Sequence, residues 1–154
     1  MTEQQLSEQT AEALAPTPMP GGPLVGIIMG SESDMAEMEK VGKVLHEAEI
    51  GYEIEVMSAH RDPERVADYC RNARGRGLRV IIAGAGLSAA LHGVAAAHTD
   101  LPVIGVPLSS SLSAAGGLDS ILSVVQMPPG VPVAAVGLDN AKNAGHLALR
   151  VLAA

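Results

Sequence analysis

From Leu24 onward, short apolar runs alternate with stretches in which apolar residues recur every three or four positions. Leu24–Met29 is a compact apolar run ending at Gly30, which predicts a strand. Met35–Glu49 places Met35, Met38, Val41, Val44, Leu45 and Ala48 on one helical face. Tyr52–Met57 alternates, with Ile54 and Val56 on one side, and predicts a second strand. Pro63 then opens a helix reaching about Arg76, at a position where its missing N–H costs nothing. Gly75 and Gly77 close that helix. Arg79–Ala83 predicts a third strand, and an Ala-rich helix follows from about Ser88 to His98. Pro102–Val106 is a fourth strand, Pro107–Gly117 a Ser/Gly-rich loop and Leu118–Gln126 a helix. Val131–Val136 is a fifth strand, and Asn140–Leu152 a terminal helix. Strands separated by helices require right-handed crossovers, so the pattern predicts an α/β domain with a mostly parallel five-stranded sheet.

Ligands of such sheets bind beyond the carboxyl ends of the strands. That rule selects the loops Gly30–Asp34, Ser58–Arg61, Ala83–Ser88 and Pro107–Gly117, where polar residues cluster. In the first loop, Gly30 admits a ligand near the backbone, while Ser31 and Ser33 offer hydroxyls. N–H groups at the start of the following helix favour an anion, and Asp34 suits a ribose diol or ring amine. Ser33 or Asp34 serves equally well as a helix cap. The loop lacks the Gly-Lys-Ser/Thr ending of a phosphate-binding P-loop. In the second loop, His60 beside Arg61 joins a proton-transfer residue to a phosphate or carboxylate clamp. The alternative is structural, with His60 bonded to the backbone and Arg61 paired to Asp62 or Glu64.

His92, between the third loop and its helix, is the second histidine candidate. His46, His98 and His146 lie in or at the end of predicted helices. No cluster has metal-ligand spacing, so no metal is expected. Cys70, the only cysteine, reads as a small core residue in a chain suited to a reducing cytoplasm.

Composition changes this picture in two respects. The chain of 154 residues is 47% apolar yet has no Phe or Trp, two Tyr (Tyr52 and Tyr69) and 17 Gly. Small side chains permit close approach of helices and of subunits, which predicts a homo-oligomer. The net charge of −7, with no basic stripe, argues against nucleic acid or an anionic membrane as partner. A phosphorylated ligand would therefore need locally placed donors. Met1–Gly22, rich in Gln, Glu, Thr, Ala and Pro, lacks the features of a secretory signal and reads as a disordered tail. Residues 23–154 then form a single α/β catalytic domain, with no apolar run long enough to span a bilayer.

The loops together resemble the N5-carboxyaminoimidazole ribonucleotide mutase family of purine biosynthesis, from about Val25 to Leu152. The resemblance rests on Gly30-Ser31-Glu32-Ser33-Asp34, Ser58-Ala59-His60-Arg61 and Ile82-Ala83-Gly84-Ala85-Gly86. It continues in Leu101-Pro102-Val103-Ile104-Gly105-Val106-Pro107 and in the run from Gly117 to Pro128. It implies a flavodoxin-like three-layer domain, an octamer in the cytoplasm, and a reaction without metal or organic cofactor. In that reaction a carboxylate moves from the exocyclic nitrogen of an aminoimidazole to ring carbon C4, with His60 as the acid–base residue.

By the same resemblance, Ser31, Ser33, Asp34 and Arg61 hold the phosphoribosyl group. Ser58, Ala59, Ala85 and Gly86 line the base and carboxylate, and Gly30 and Ser88 complete the substrate-binding set. Arg61 is assigned to the phosphate, with the carboxylate as its alternative partner. The usual mutase loop Gly-Gly-Ala-Ala-His-Leu-Pro-Gly aligns with Gly86–Gly93, so its His falls on Ala90 and its Pro on His92. The related direct carboxylases carry Ala-Gly-Arg-Ser-Asn-Ala-Leu-Ser-Gly there, and Ala85–Gly93 follows that pattern in part, with Leu87 and Ala89 replacing its Arg and Asn. Two alternatives to a mutase stay open: direct carboxylation of aminoimidazole ribonucleotide with CO2, and a non-catalytic phosphoribosyl-ligand sensor.

Overall fold

The computed structural model describes residues 19–154. The expected disordered tail falls mainly on residues 1–18, outside that range; Gly22 N–H donates to the Met19 carbonyl (3.1 Å) in a turn before the first strand. Five strands, β1 (Val25–Met29), β2 (Tyr52–Val56), β3 (Val80–Gly86), β4 (Val103–Leu108) and β5 (Ala134–Ala135), form one sheet in the order β2-β1-β3-β4-β5. Every pairing is parallel. The helices are α1 (Met35–Glu47), α2 (Pro63–Ala73), α3 (Leu91–Ala97), α4 (Leu118–Val125) and α5 (Ala141–Ala153). This is the flavodoxin-like three-layer arrangement, with the sheet between two helical layers.

Both faces of the central strands are covered, which explains their unbroken apolar sequences. Ile27, Met29, Val80, Ile82, Ile104 and Val106 pack with Met38, Val41 and Leu45 of α1 and with Ala141, Ala144 and Ala148 of α5. Their neighbours Ile28, Ile81, Ala83 and Val103 turn to the opposite layer, against Val66 and Cys70 of α2, Leu91 and Ala95 of α3, and Val124 of α4. Burial raises the Cys70 thiol to about 11, as expected of an inert core residue. The scarcity of aromatics has a steric counterpart. A methyl group on Gly145 of α5 would lie 2.9 Å from Val44 Cβ of α1, so the two helices pack at glycine distance.

Four elements differ from the sequence-based expectation, and β4 is one of them, running two residues past Val106 to Leu108 in the expected loop. β3 runs three residues past Ala83, because Ala85 and Gly86 stay in register with Pro107 and Leu108 of β4. α3 begins at Leu91 rather than near Ser88, since Leu87 takes φ +54° and the chain turns there. β5 is two residues long; it lies at the sheet edge just after Pro132, which has no N–H to place in a ladder.

At the amino-terminal side of the sheet, Tyr69 Oη donates to Glu53 Oε1 (2.7 Å) and Arg76 meets both oxygens of Glu53 (2.7 and 3.1 Å). The Arg76 guanidinium also lies 4.8 Å from the Tyr69 ring centroid. Burial alone would raise the Glu53 carboxyl, but the hydrogen bonds from Arg76 and Tyr69 and the Arg76 charge hold it below its usual value. No helix among the described residues is long and apolar enough to cross a membrane.

Candidate active site

The register ends the strands in two steps on one edge: Met29 lies beside Val56 and Gly84, and β3 and β4 run two residues further, to Gly86 beside Leu108. The loops leaving those ends enclose one cleft of about 630 Å³. All eleven residues expected at the site line it: Gly30, Ser31, Ser33 and Asp34 from the first loop; Ser58, Ala59, His60 and Arg61 from the second; Ala85, Gly86 and Ser88 from the third.

In the first loop the capping role falls to Ser31, whose Oγ accepts from the Ser33 N–H (3.3 Å) and contacts Ser33 Oγ (2.9 Å). Asp34, at the start of α1, makes no side-chain cap bond, so its carboxylate is directed to neither helix N–H nor ion pair. Burial raises the Asp34 carboxyl above its ordinary value, opposed by a smaller contribution from the Ser31 backbone. The second loop is a tight turn in which Ser58 Oγ accepts from Arg61 N–H (3.2 Å) and Asp62 N–H reaches the Ser58 carbonyl (2.8 Å). Asp62 caps α2 through Arg65 N–H (3.4 Å) rather than pairing with Arg61. Among the described residues Arg61 has no ion pair. His60 is exposed at the rim, and its ring bonds to no described backbone group. The structural alternatives for His60 and Arg61 are therefore not realised.

The cleft is lined by seven serines, with Arg61 as its one permanent cation and Asp34 as its one carboxylate among the described residues. Such a surface suits a polar, phosphorylated ligand inside an acidic protein, because the donors are local. No three His, Cys, Asp or Glu side chains come together as a metal-ligand set among the described residues.

The AIR carboxylase family model matches residues 24–154. The chain belongs to this family. An N5-carboxyaminoimidazole ribonucleotide mutase of Pyrococcus abyssi is 60% identical over 132 residues, which is 86% of this chain and 75% of that one. A phosphoribosylaminoimidazole carboxylase of Schizosaccharomyces pombe is 55% identical over 131 residues, covering 85% of this chain and 23% of that longer protein. Among solved structures, Treponema denticola PurE superposes with a TM-score of 0.74 at 35% identity, covering 85% of this chain and 80% of the other.

Within the AIR carboxylase frame, the cleft has further lining residues beyond the eleven expected ones, in or beside the loops that the carboxyl-edge rule selects. Leu87, Ala89, Ala90 and Leu91 form the third wall, and residues 109–112 form a fourth. The carboxyl-edge rule selects the loop Pro107–Gly117, which supplies the fourth wall, without assigning its individual residues. Leu87 carries φ +54° and is 43% exposed, a strained backbone for a bulky residue at the cleft. His92 lies behind the wall, fully buried. Its Nδ1–H donates to the Ala89 carbonyl (2.9 Å), and its ring packs so close to β4 that a methyl on Gly105 would lie 3.0 Å from Cδ2. His46 and His146 are exposed, and His98 Nδ1 bonds the Val94 carbonyl (2.8 Å).

Gly30 provides a clean test of the cleft. A methyl group added there meets no protein atom within 4 Å, and its φ is not in the left-handed region. Gly30→Ala is therefore expected to leave thermal stability within about 0.5 kcal/mol of the parent. The methyl would occupy ligand space and weaken binding about tenfold, or about 1.4 kcal/mol. Calorimetric titration with the nucleotide, alongside a melting curve, checks both; unchanged affinity would remove Gly30 from the site.

Proposed function

We propose that this protein is an enzyme of purine biosynthesis that converts N5-carboxyaminoimidazole ribonucleotide to 4-carboxy-5-aminoimidazole ribonucleotide. The observation that carries the reading is the convergence of His60, Arg61 and the Ser31–Asp34 loop on one cleft in a chain 60% identical to a mutase of that name.

Ser31, Ser33 and Arg61 hold the phosphate, and Asp34 accepts from the ribose hydroxyls. Ala59, Ala85 and Gly86 present small surfaces against which a flat imidazole lies, with Ser58 and Ser88 at its carboxylate. The exocyclic N–CO2 bond breaks, and its electron pair returns to nitrogen, which takes a proton from charged His60. Carbon C4 then attacks the released CO2, the new C–C bond forms, and the C4 proton passes to the now neutral His60. One proton is given and one received, so the residue ends as it began. Retaining CO2 beside the ring replaces a bimolecular encounter with an oriented one. The chemistry needs no metal or organic cofactor.

The same reading treats residues 23–154 as one catalytic domain working in the cytoplasm as a homo-oligomer, an octamer. Leu118, Leu122 and Val125 support an interface between copies, because they leave an exposed apolar stripe along α4.

A second reading, direct carboxylation of aminoimidazole ribonucleotide, is favoured by the third loop and by the Schizosaccharomyces pombe relative. Supplying each substrate separately decides between them. The expected result is 4-carboxylated product from the N5-carboxylated nucleotide alone. Product from aminoimidazole ribonucleotide at physiological bicarbonate would reject the mutase assignment. Tight binding with no product from either would leave a sensor.

A further inference from the structure

The fourth wall of the cleft is held by a residue outside it. Asp139, thirty positions beyond Ser109, accepts from the Ser109 backbone N–H with Oδ1 (2.8 Å) and from the Ser109 hydroxyl with Oδ2. Its own N–H donates to the Pro107 carbonyl (2.9 Å), so it grips the end of β4 on both sides of Leu108. The grip is carried on a left-handed backbone, φ +52°, just before Asn140, which caps α5 by accepting from Asn143 N–H (3.2 Å).

The direction of these bonds matters more than their number. A serine hydroxyl has one proton and two acceptor lone pairs. At Ser109 the proton is committed to Asp139, which leaves the lone pairs. At Ser58 and Ser110 the order is reversed: each Oγ already accepts a backbone N–H, from Arg61 and Leu112 respectively, and each proton remains to be donated. The cleft thus contains hydroxyls set as donors and one set as an acceptor.

We propose that Asp139 is a positioning residue that turns Ser109 into a hydrogen-bond acceptor for an N–H or O–H of the substrate, while Ser58 and Ser110 are left to face its anionic oxygens. The inference rests on the proposed substrate, whose donors are the exocyclic amine and the ribose hydroxyls.

The test compares Ser109→Ala, Asp139→Asn and the double variant. Asn tolerates the left-handed backbone and keeps an acceptor for the Ser109 N–H. Its amide nitrogen, however, replaces the oxygen that received the hydroxyl proton, so Ser109 is turned into a donor towards the cleft. Each single variant is expected to raise KM about three- to tenfold, the scale of one neutral hydrogen bond, with kcat little changed. The double variant is expected to be no worse than Ser109→Ala, because Asp139 acts through that hydroxyl. A purely structural role for Asp139 would instead lower the melting temperature and multiply with Ser109→Ala.

Inhibition by ribose 5-phosphate locates the donor. A weaker inhibition constant in Ser109→Ala assigns it to the ribose, and an unchanged one to the amine. Calorimetric binding of the carboxylated product is measured alongside wild-type turnover. A wild-type protein that binds but does not turn over would then reject the reaction separately, while the variant comparison remains readable. Wild-type KM and product affinity in Ser109→Ala, or losses that multiply in the double variant, would overturn the assignment.

Discussion

His60→Asn is expected to lower kcat by about 10²- to 10⁴-fold, the usual contribution of a positioned acid–base group, while nucleotide affinity stays within a few-fold of the parent. Asn keeps the approximate size and polarity of the ring but cannot exchange a proton near neutral pH. The local fold gives no reason for collapse, because His60 is exposed and bonds to no described backbone group, while the turn is held by Ser58. Arg61 keeps its position through its N–H bond to Ser58 Oγ, so the anion clamp survives the change. The measurement is single-turnover conversion with saturating nucleotide, paired with equilibrium binding. Wild-type turnover would eliminate His60 as the proton carrier and shift attention to the lining residues of the third wall.

The second large effect is acid destabilisation through His92. Burial holds its imidazole down to about 4, partly offset by the Ala89 and Val106 carbonyls, which favour a proton on the ring. Nε2 closes no hydrogen bond with either. The free ring titrates near 6.5, so between that pH and about 4 the unfolded chain binds a proton that the folded chain refuses. Stability from this group is thus complete above 6.5 and lost as pH falls towards 4. The loss is about 3 kcal/mol, which for a chain of this size lowers the melting temperature by on the order of 10 °C. His92→Asn keeps a donor for the Ala89 carbonyl and does not titrate, so its melting temperature should be much flatter across the same window. Equal slopes in the two proteins would show that the acid sensitivity lies elsewhere. The carboxylates contribute below this range. Glu53, held low by Arg76 and Tyr69, loses its stabilising effect only as pH drops beneath the ordinary carboxylate value.

Much of this architecture was legible in the sequence, because the relevant signals are local. The 3.6-residue spacing of Met38, Val41 and Leu45 sets the buried face of α1. Unbroken apolar runs mark the central strands, and the carboxyl-edge rule then selects the right loops. Tertiary pairing accounts for most of what was missed. Nothing local distinguishes the strand residues Gly84, Ala85 and Gly86 from a glycine-rich loop; they are extended because β4 continues beside them. The fourth wall depends on Asp139, thirty residues away, and no spacing rule links it to Ser109. His92 was singled out by its place between loop and helix. The rotation of α3 decides its fate: Leu91 meets the cleft, and the next residue turns under β4.

The parallel register of the strands has a consequence for how this site can be altered. A shift of one residue between β1 and β3, or between β3 and β4, would exchange the two faces of a strand buried on both sides. The sheet therefore behaves as a fixed frame, and differences in ligand preference among proteins built on it must be written in the loops. Positions 87 and 112 are the most accessible places to write them, because both side chains project at the cleft margin, 43% and 76% exposed, and neither belongs to the core.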